Sequence, residues 1–164
     1  MGMADSGLRE RQEEYSRGKW LLFDEMQEGM EFPPVQFELT PELVKKYCEA
    51  MGDFNPIYTD VEAAKKQGFA GSIAPATIVC IYAIPSALLS GYKPKMIPPP
   101  GNIHYRQEYR FFNAASPGDR INVRSVVVHK EVRKGRKYVT IETAYLNQDG
   151  KTIAVGRITP IWAK

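Results

Sequence analysis

The sequence predicts an α+β domain in which an antiparallel sheet wraps a central helix. Three observations carry this. The run from Ile73 to Leu89 is apolar on every side, so a helix there would be buried nearly all round. Four stretches after Gly101 alternate apolar and polar residues with a period of two, as half-buried strands do. One earlier strand-like stretch, within "EGMEFPPVQFEL", supplies a fifth strand.

Taken in order, residues 1–18 are polar and lack a clear period, which suits a frayed or loosely helical arm. Trp20, Leu21, Leu22 and Phe23 then form an apolar patch that must dock somewhere. Gly29 and the Pro33-Pro34 pair read as a turn into a short edge strand, because proline cannot donate to a ladder. The chain thus divides into an arm, 1–28, and a single domain, 29–164. Thr40-Pro41-Glu42 is a helix start: Thr40 can cap, Pro41 fits the first turn, and Glu42 favours the positive end of the dipole. Leu43, Val44, Tyr47, Cys48 and Met51 recur at helical spacing, and Gly52 supplies the stop. Asp53 therefore emerges on a loop.

Val61 to Gln67 reads as a short helix ended by Gly68. In the apolar run, Pro75 fits the first turn and Pro85 kinks or ends the helix. Lys93 to Pro100 reads as an irregular loop. Of the later strands, "DRINVRSVVVHKEV" puts Ile121, Val123, Val127 and His129 on one face, and "RKYVTIETAYLNQ" does the same for Val139, Ile141, Thr143 and Tyr145. Ser116-Pro117-Gly118-Asp119, Lys134-Gly135 and Gln148-Asp149-Gly150 are turn chemistry, so the last three strands form a meander.

The bulk numbers exclude several classes. The 164 residues suit one domain, and 43% apolar with 25% charged residues is ordinary for a globular protein. A net charge of +3 lacks the concentrated basic face of a nucleic-acid binder. Cys48 and Cys80 form no CxxC and have no His/Cys spacing that suits zinc, so they read as buried thiols, and no metal is expected. No apolar leader is visible at the N-terminus, and Pro75 and Pro85 interrupt the longest apolar run, which is too short to span a bilayer. The expectation is a cytoplasmic protein with no membrane or nucleic-acid partner.

The residues that carry chemistry lie in "MGDFNPIYTD", 51–60. This stretch, together with "GFAGSIAP", "NIHYRQEYRFFNAASPGDRI" and "GRKYVTIETAYLNQDG", resembles the MaoC-like hydratases and dehydratases, in their N-terminal dehydratase-domain branch. The resemblance covers roughly Gly29 to Lys164 and implies the hot-dog fold, in which a sheet wraps one long helix. It implies water addition to, or removal from, an enoyl-CoA or 3-hydroxyacyl thioester, with coenzyme A or an acyl carrier as part of the substrate and no separate cofactor. That is chemistry of fatty acid metabolism.

In the family, an Asp in an Asp-x-Asn-Pro turn and a His five positions later hold and activate the water. Asp53 and Asn55 match; Tyr58 stands in the place of the His. The family's His-Gly pair, whose Gly N–H polarises the thioester carbonyl, is Pro75-Ala76 here. The departure at Tyr58 matters most, because water addition needs a base whose pKa lies near the working pH, and a phenol near 10 is a poor one. Ala76 keeps its N–H. His104 is a candidate replacement base, or else a strand histidine tucked against the core. Arg106 and Arg110 alternate on one strand and are candidates for substrate phosphates, as is the basic hairpin "HKEVRKGRK", which otherwise reads as a solvated turn.

Three functions follow: a hydratase/dehydratase with a modified site; a non-catalytic, acyl-binding subunit of a heteromeric dehydratase; or an acyl-CoA-binding module or thioesterase on the same fold. An exposed sheet edge implies a partner, as a homodimer or as a heterodimer with a second hot-dog chain.

Overall fold

Thr40 caps the longest helix as its sequence predicts: its hydroxyl accepts the Leu43 N–H at 3.1 Å, and Pro41 occupies the first turn. In the computed structural model, which describes residues 19–82 and 96–163, this helix is α1 (Pro41–Met51). Before it come β1 (Lys19–Trp20), a 3-10 turn over Phe23–Glu25, and β2 (Val35–Glu38). After it come a 3-10 turn over Pro56–Tyr58, α2 (Val61–Lys66), a 3-10 helix over Ala76–Tyr82 and β3 (Met96–Ile97). The long strands follow: β4 (Ile103–Phe111), β5 (Arg120–Arg133), β6 (Arg136–Leu146) and β7 (Thr152–Trp162).

Five strands form one antiparallel sheet in the order β2-β5-β6-β7-β4. The predicted meander is β5-β6-β7. Lys134 (φ 50°) and Gly135 (φ 74°) close the β5–β6 hairpin in the left-handed region that tight two-residue hairpin loops require. β2 is an edge strand, and β4 is the other edge.

The expected central helix is found only in part. Its described portion, Ala76–Tyr82, is 3-10 and not α, with the Ile78 N–H bonded three residues back to Pro75. Thr77, Ile78, Val79 and Ile81 are β-branched and lose side-chain freedom in an α-helix, which weakens its advantage here. Residues 83–89 of that expectation, Pro85 among them, lie outside the described residues. The expected irregular loop is also corrected: Met96–Ile97 pairs in parallel with Lys19–Trp20.

Two further expectations change. β5 bulges between Val127 and His129, and one extra residue reverses the alternation beyond it. Lys130 now pairs with buried Val139 and turns inward, while His129 pairs with Thr140 and is exposed. His129 therefore does not share the face of Ile121, Val123 and Val127. The bulge also takes Lys130 out of the solvated hairpin cluster. Its amine donates to the carbonyls of Phe23 (2.7 Å) and Met26 (2.6 Å), and lies 4.2 Å from the Phe23 ring centre.

That contact helps explain the second change. From Lys19 onward the arm is part of the domain. Leu21, Phe23 and Met26 are buried against Val127, Val139, Ile141 and Trp162, and the Trp162 indole donates to the Leu21 carbonyl at 2.8 Å. Residues 1–18 of the predicted arm lie outside the described residues.

The core has two clusters on the inner face of the sheet. One packs α1 (Val44, Cys48) and Ile78-Val79 against Ile121, Val123, Tyr145, Ile153 and Ala154. The other lies under the arm. Between them the cross-strand pair Ser125–Thr143 is buried, and one hydrogen bond of 2.9 Å joins the two hydroxyls. No helix among the described residues is long and apolar enough to cross a membrane.

Candidate active site

Backbone hydrogen bonds place Asp53. Gly52 ends α1 in the left-handed conformation (φ 65°), its N–H bonding to Glu49 O, and the Asp53 N–H turns back to Cys48 O at 3.0 Å. This double closure is the Schellman motif, and it needs a residue without a Cβ penalty at Gly52. The chain then steps through side-chain turns. Asp53 Oδ1 accepts the Asn55 N–H at 3.4 Å, and Asn55 Oδ1 accepts the Ile57 N–H at 3.2 Å, capping the Pro56–Tyr58 turn. Asn55 and Pro56 thus fix the step from acid to phenol. Asp60 caps α2 by accepting the Glu62 and Ala63 N–H groups, so the second acid of the stretch is structural.

The result brings Asp53 and Tyr58 together. Tyr58 is half-buried against the α1 cluster, and its phenol is raised above 10. Burial is the larger cause; the Asp53 charge and hydrogen bonding to Asp53 add to it. The phenol therefore keeps its proton at neutral pH. Cys48 lies beneath the pair, its thiol also raised by burial and then by Asp53. Together with Glu49, Phe54 and Asn55, these residues surround a surface hollow of about 160 Å³. That is below the ~300 Å³ at the low end of small-molecule pockets, so the hollow suits the reacting end of a ligand. Cys48 reads in the sequence only as a buried thiol; helical spacing showed its burial and nothing pointed to its place under the pair.

The segment carrying Pro75 and Ala76 is tied to the same place. The Ile73 N–H bonds to Ile57 O at 3.1 Å, and the Ala74 N–H to Ala115 O at 2.7 Å. Tyr47 of α1 donates its hydroxyl to Thr77 Oγ1 at 3.0 Å. Pro75 is buried and Ala76 is exposed. As the first residue of its helix, Ala76 has no intrahelical acceptor for its N–H.

Three candidates do not join this set. His104 is exposed on β4 opposite Pro160, while Phe111, at the other end of β4, is opposite Ala154 of the α1 cluster. At about 3.3 Å per residue this puts His104 roughly 20 Å along the sheet from that end. Tyr109 faces the core, so Arg110 faces outward. Arg106 pairs with Glu108 at 2.8 Å, and Glu108 and Arg110 line an outer-face hollow of about 310 Å³ with Glu142 and Arg157. Asp53, Asn55 and Tyr58 line one hollow, and the Ile73–Ile57 and Tyr47–Thr77 bonds tie the segment of Pro75 and Ala76 to the elements beside it; His104, Arg106 and Arg110 lie elsewhere. Among the described residues no group of three His, Cys, Asp or Glu side chains is arranged to hold a metal.

Comparison with known proteins gives the family and the fold. Residues 26–155 match the family described as FAS1-like, dehydratase domain region. The chain is 29% identical over 146 residues to a UPF0336 protein of Streptomyces avermitilis, covering 88% of this chain and 97% of that one. It is 26% identical over 138 residues to a probable enoyl-CoA hydratase alpha subunit of Thermomonospora curvata, covering 70% of this chain and 42% of that one. Among solved structures it is similar to a MaoC-like dehydratase from Rhodospirillum rubrum, with a TM-score of 0.72 at 22% identity over 88% of this chain and 98% of that one. This likeness supports the hot-dog fold.

Proposed function

The chain belongs to the MaoC-like hydratase/dehydratase family, through its FAS1-like dehydratase domain region, and from that premise we propose that it adds water reversibly to an enoyl thioester. One observation carries the reading: the Asp53 carboxylate stands beside the Tyr58 phenol at a hollow large enough for the reacting end of such a substrate. In the hydration direction Asp53 takes a proton from water as the water oxygen bonds to C3. The double-bond electrons move onto the thioester carbonyl, whose oxygen accepts a hydrogen bond from the Ala76 N–H. Protonated Asp53 then gives that proton to C2 as the carbonyl reforms, which regenerates the carboxylate. Tyr58 keeps its proton and holds the Asp53 carboxylate in place. Asn55 fixes the turn and buried Pro75 backs Ala76. His104, Arg106 and Arg110 take no part in this step.

The substrate is an acyl thioester of coenzyme A or of an acyl carrier, and no further cofactor is required. The chain works as a dimer, with a second copy or with another hot-dog chain. β4 supports this, because it is an edge strand whose Ile103 (56%) and Phe111 (45%) are exposed.

A second reading is favoured by Tyr58 itself. A phenol whose pKa is raised replaces the family's imidazole, and the relative from Thermomonospora curvata is named an alpha subunit. On this reading the chain binds the acyl group in a heteromer while its companion supplies the base.

The test is loss of enoyl absorbance when the purified chain alone meets crotonyl-CoA. Hydration that falls by at least a hundredfold in Asp53→Asn supports the enzyme, in keeping with the usual worth of a general base. Full activity in Asp53→Asn would overturn the mechanism. No hydration by the chain alone, restored by a companion chain, would favour the subunit reading.

A further inference from the structure

Water addition builds negative charge on the thioester oxygen, and an oxygen of that kind is best held by more than one donor aimed in advance. The Ala76 N–H is one such donor in the reaction proposed above. A second stands next to it in the chain. Thr77 is exposed, directly follows Ala76, and is the residue that Tyr47 reaches from α1.

The direction of that contact matters. Tyr47 is the donor and Thr77 Oγ1 the acceptor, at 3.0 Å. A threonine hydroxyl has one hydrogen and two lone pairs. With one lone pair filled by Tyr47, the Thr77 hydrogen must point away from Tyr47, and no acceptor among the described residues takes it. Accepting a hydrogen bond also polarises the hydroxyl and makes it a better donor. The Tyr47 ring is packed against the α1 core cluster, which fixes the position of the hydroxyl oxygen it offers.

The same contact spans the two halves of the site. Tyr47 precedes Cys48, whose carbonyl holds the Asp53 N–H, and Thr77 follows Ala76. The bond therefore ties the helix that leads into Asp53 to the segment that carries Ala76. We propose that the Thr77 hydroxyl is a second hydrogen-bond donor to the substrate's thioester carbonyl, and that Tyr47 is the residue that positions it. This rests on the function proposed above, and it places the carbonyl contact on a side chain as well as on the backbone.

The experiment reads the carbonyl directly. Butyryl-CoA labelled with ¹³C at its thioester carbonyl has no double bond to hydrate, so its isotope-edited infrared band can be recorded while it is bound. In the unaltered protein the band is expected at lower frequency than in water. Thr77→Val should move it back towards the free value, Thr77→Ser should keep it, and Tyr47→Phe should move it part of the way. In parallel, crotonyl-CoA hydration by Thr77→Val should lose roughly a hundredfold in kcat, the usual cost of one such donor, with KM little changed. Thr77→Ser should restore it.

A shifted band in the unaltered protein that Thr77→Val and Tyr47→Phe both leave in place would overturn this inference alone. An unaltered protein with neither a bound carbonyl band nor hydration would overturn the proposed function, and this inference with it.

Discussion

Tyr109 lies across Gly156, its partner on the neighbouring strand, so closely that a Cβ built on the glycine would stand 2.5 Å from the ring's Cε1. The ring cannot swing aside freely, because its oxygen accepts the Gln107 amide at 2.6 Å and it stacks on Phe111. Gly156→Ala is therefore expected to destabilise the protein by about 1–3 kcal/mol, the usual cost of forcing atoms into a packed core. Urea denaturation of the two proteins measures it, and an unchanged midpoint would mean that the ring relaxes.

The same tyrosine makes the protein sensitive to alkali. Burial pushes the Tyr109 phenol up to about 12, with Cys80 and Tyr145 as its neighbours. In the unfolded chain it returns to about 10. Between these two values the unfolded chain has lost the proton and the folded one has kept it, so rising pH favours unfolding. Stability contributed by this group is fully present below about pH 10 and is lost as the pH climbs through about 12. Tyr145 is raised as well, chiefly by burial, and acts in the same direction. Denaturant midpoints at several alkaline pH values should fall, and Tyr109→Phe should shallow the fall.

At the active site the informative substitution is Tyr58→His. It restores an imidazole beside Asp53, and its expected effect is a gain in kcat of roughly a hundredfold on crotonyl-CoA, within the usual range for a positioned base. A base must be neutral to act, so the variant's activity should rise with pH through about 6.5. The unaltered protein should show no imidazole step. A variant no more active than its parent would point to the companion chain as the source of the base.

The arm should contribute to global stability. Leu21 is fully buried between Trp162 and the inner face of the sheet. Leu21→Ala should cost about 2–5 kcal/mol, the range for a large-to-small change in a core. A cost near zero in a denaturant titration would return residues 19–28 to the status of a loose extension.

Where the sequence was readable, short-range chemistry decided the outcome. Thr40-Pro41, Gly52, Lys134-Gly135 and the Asn55-Pro56 turn act through their own backbone neighbours, and each forms the feature it predicts. Asp53 and Tyr58, five residues apart in the string, do meet at one hollow. Failures came where one residue changed the phase of a strand. The bulge at Val128 sent His129 outward and Lys130 inward, and β4 carries another irregularity between His104 and Arg106. Alternation counted from the sequence cannot detect an inserted residue. His104 illustrates a different limit: its residue type suits a base, but strand register, which the sequence does not display, puts it at the far end of β4. The Tyr47–Thr77 bond joins residues thirty positions apart and left no local trace in the sequence.

The turn that carries Asp53 is held by backbone atoms and by Asn55, and none of those bonds runs through the side chain at position 58. Histidine and tyrosine are neighbours in the genetic code, so an imidazole here could become a phenol without the scaffold registering the change. Catalytic power and architecture are thus free to drift apart at this position. A lineage could keep such a chain for the surface it presents long after relaxing its demand on the chemistry, or regain the chemistry without rebuilding anything else.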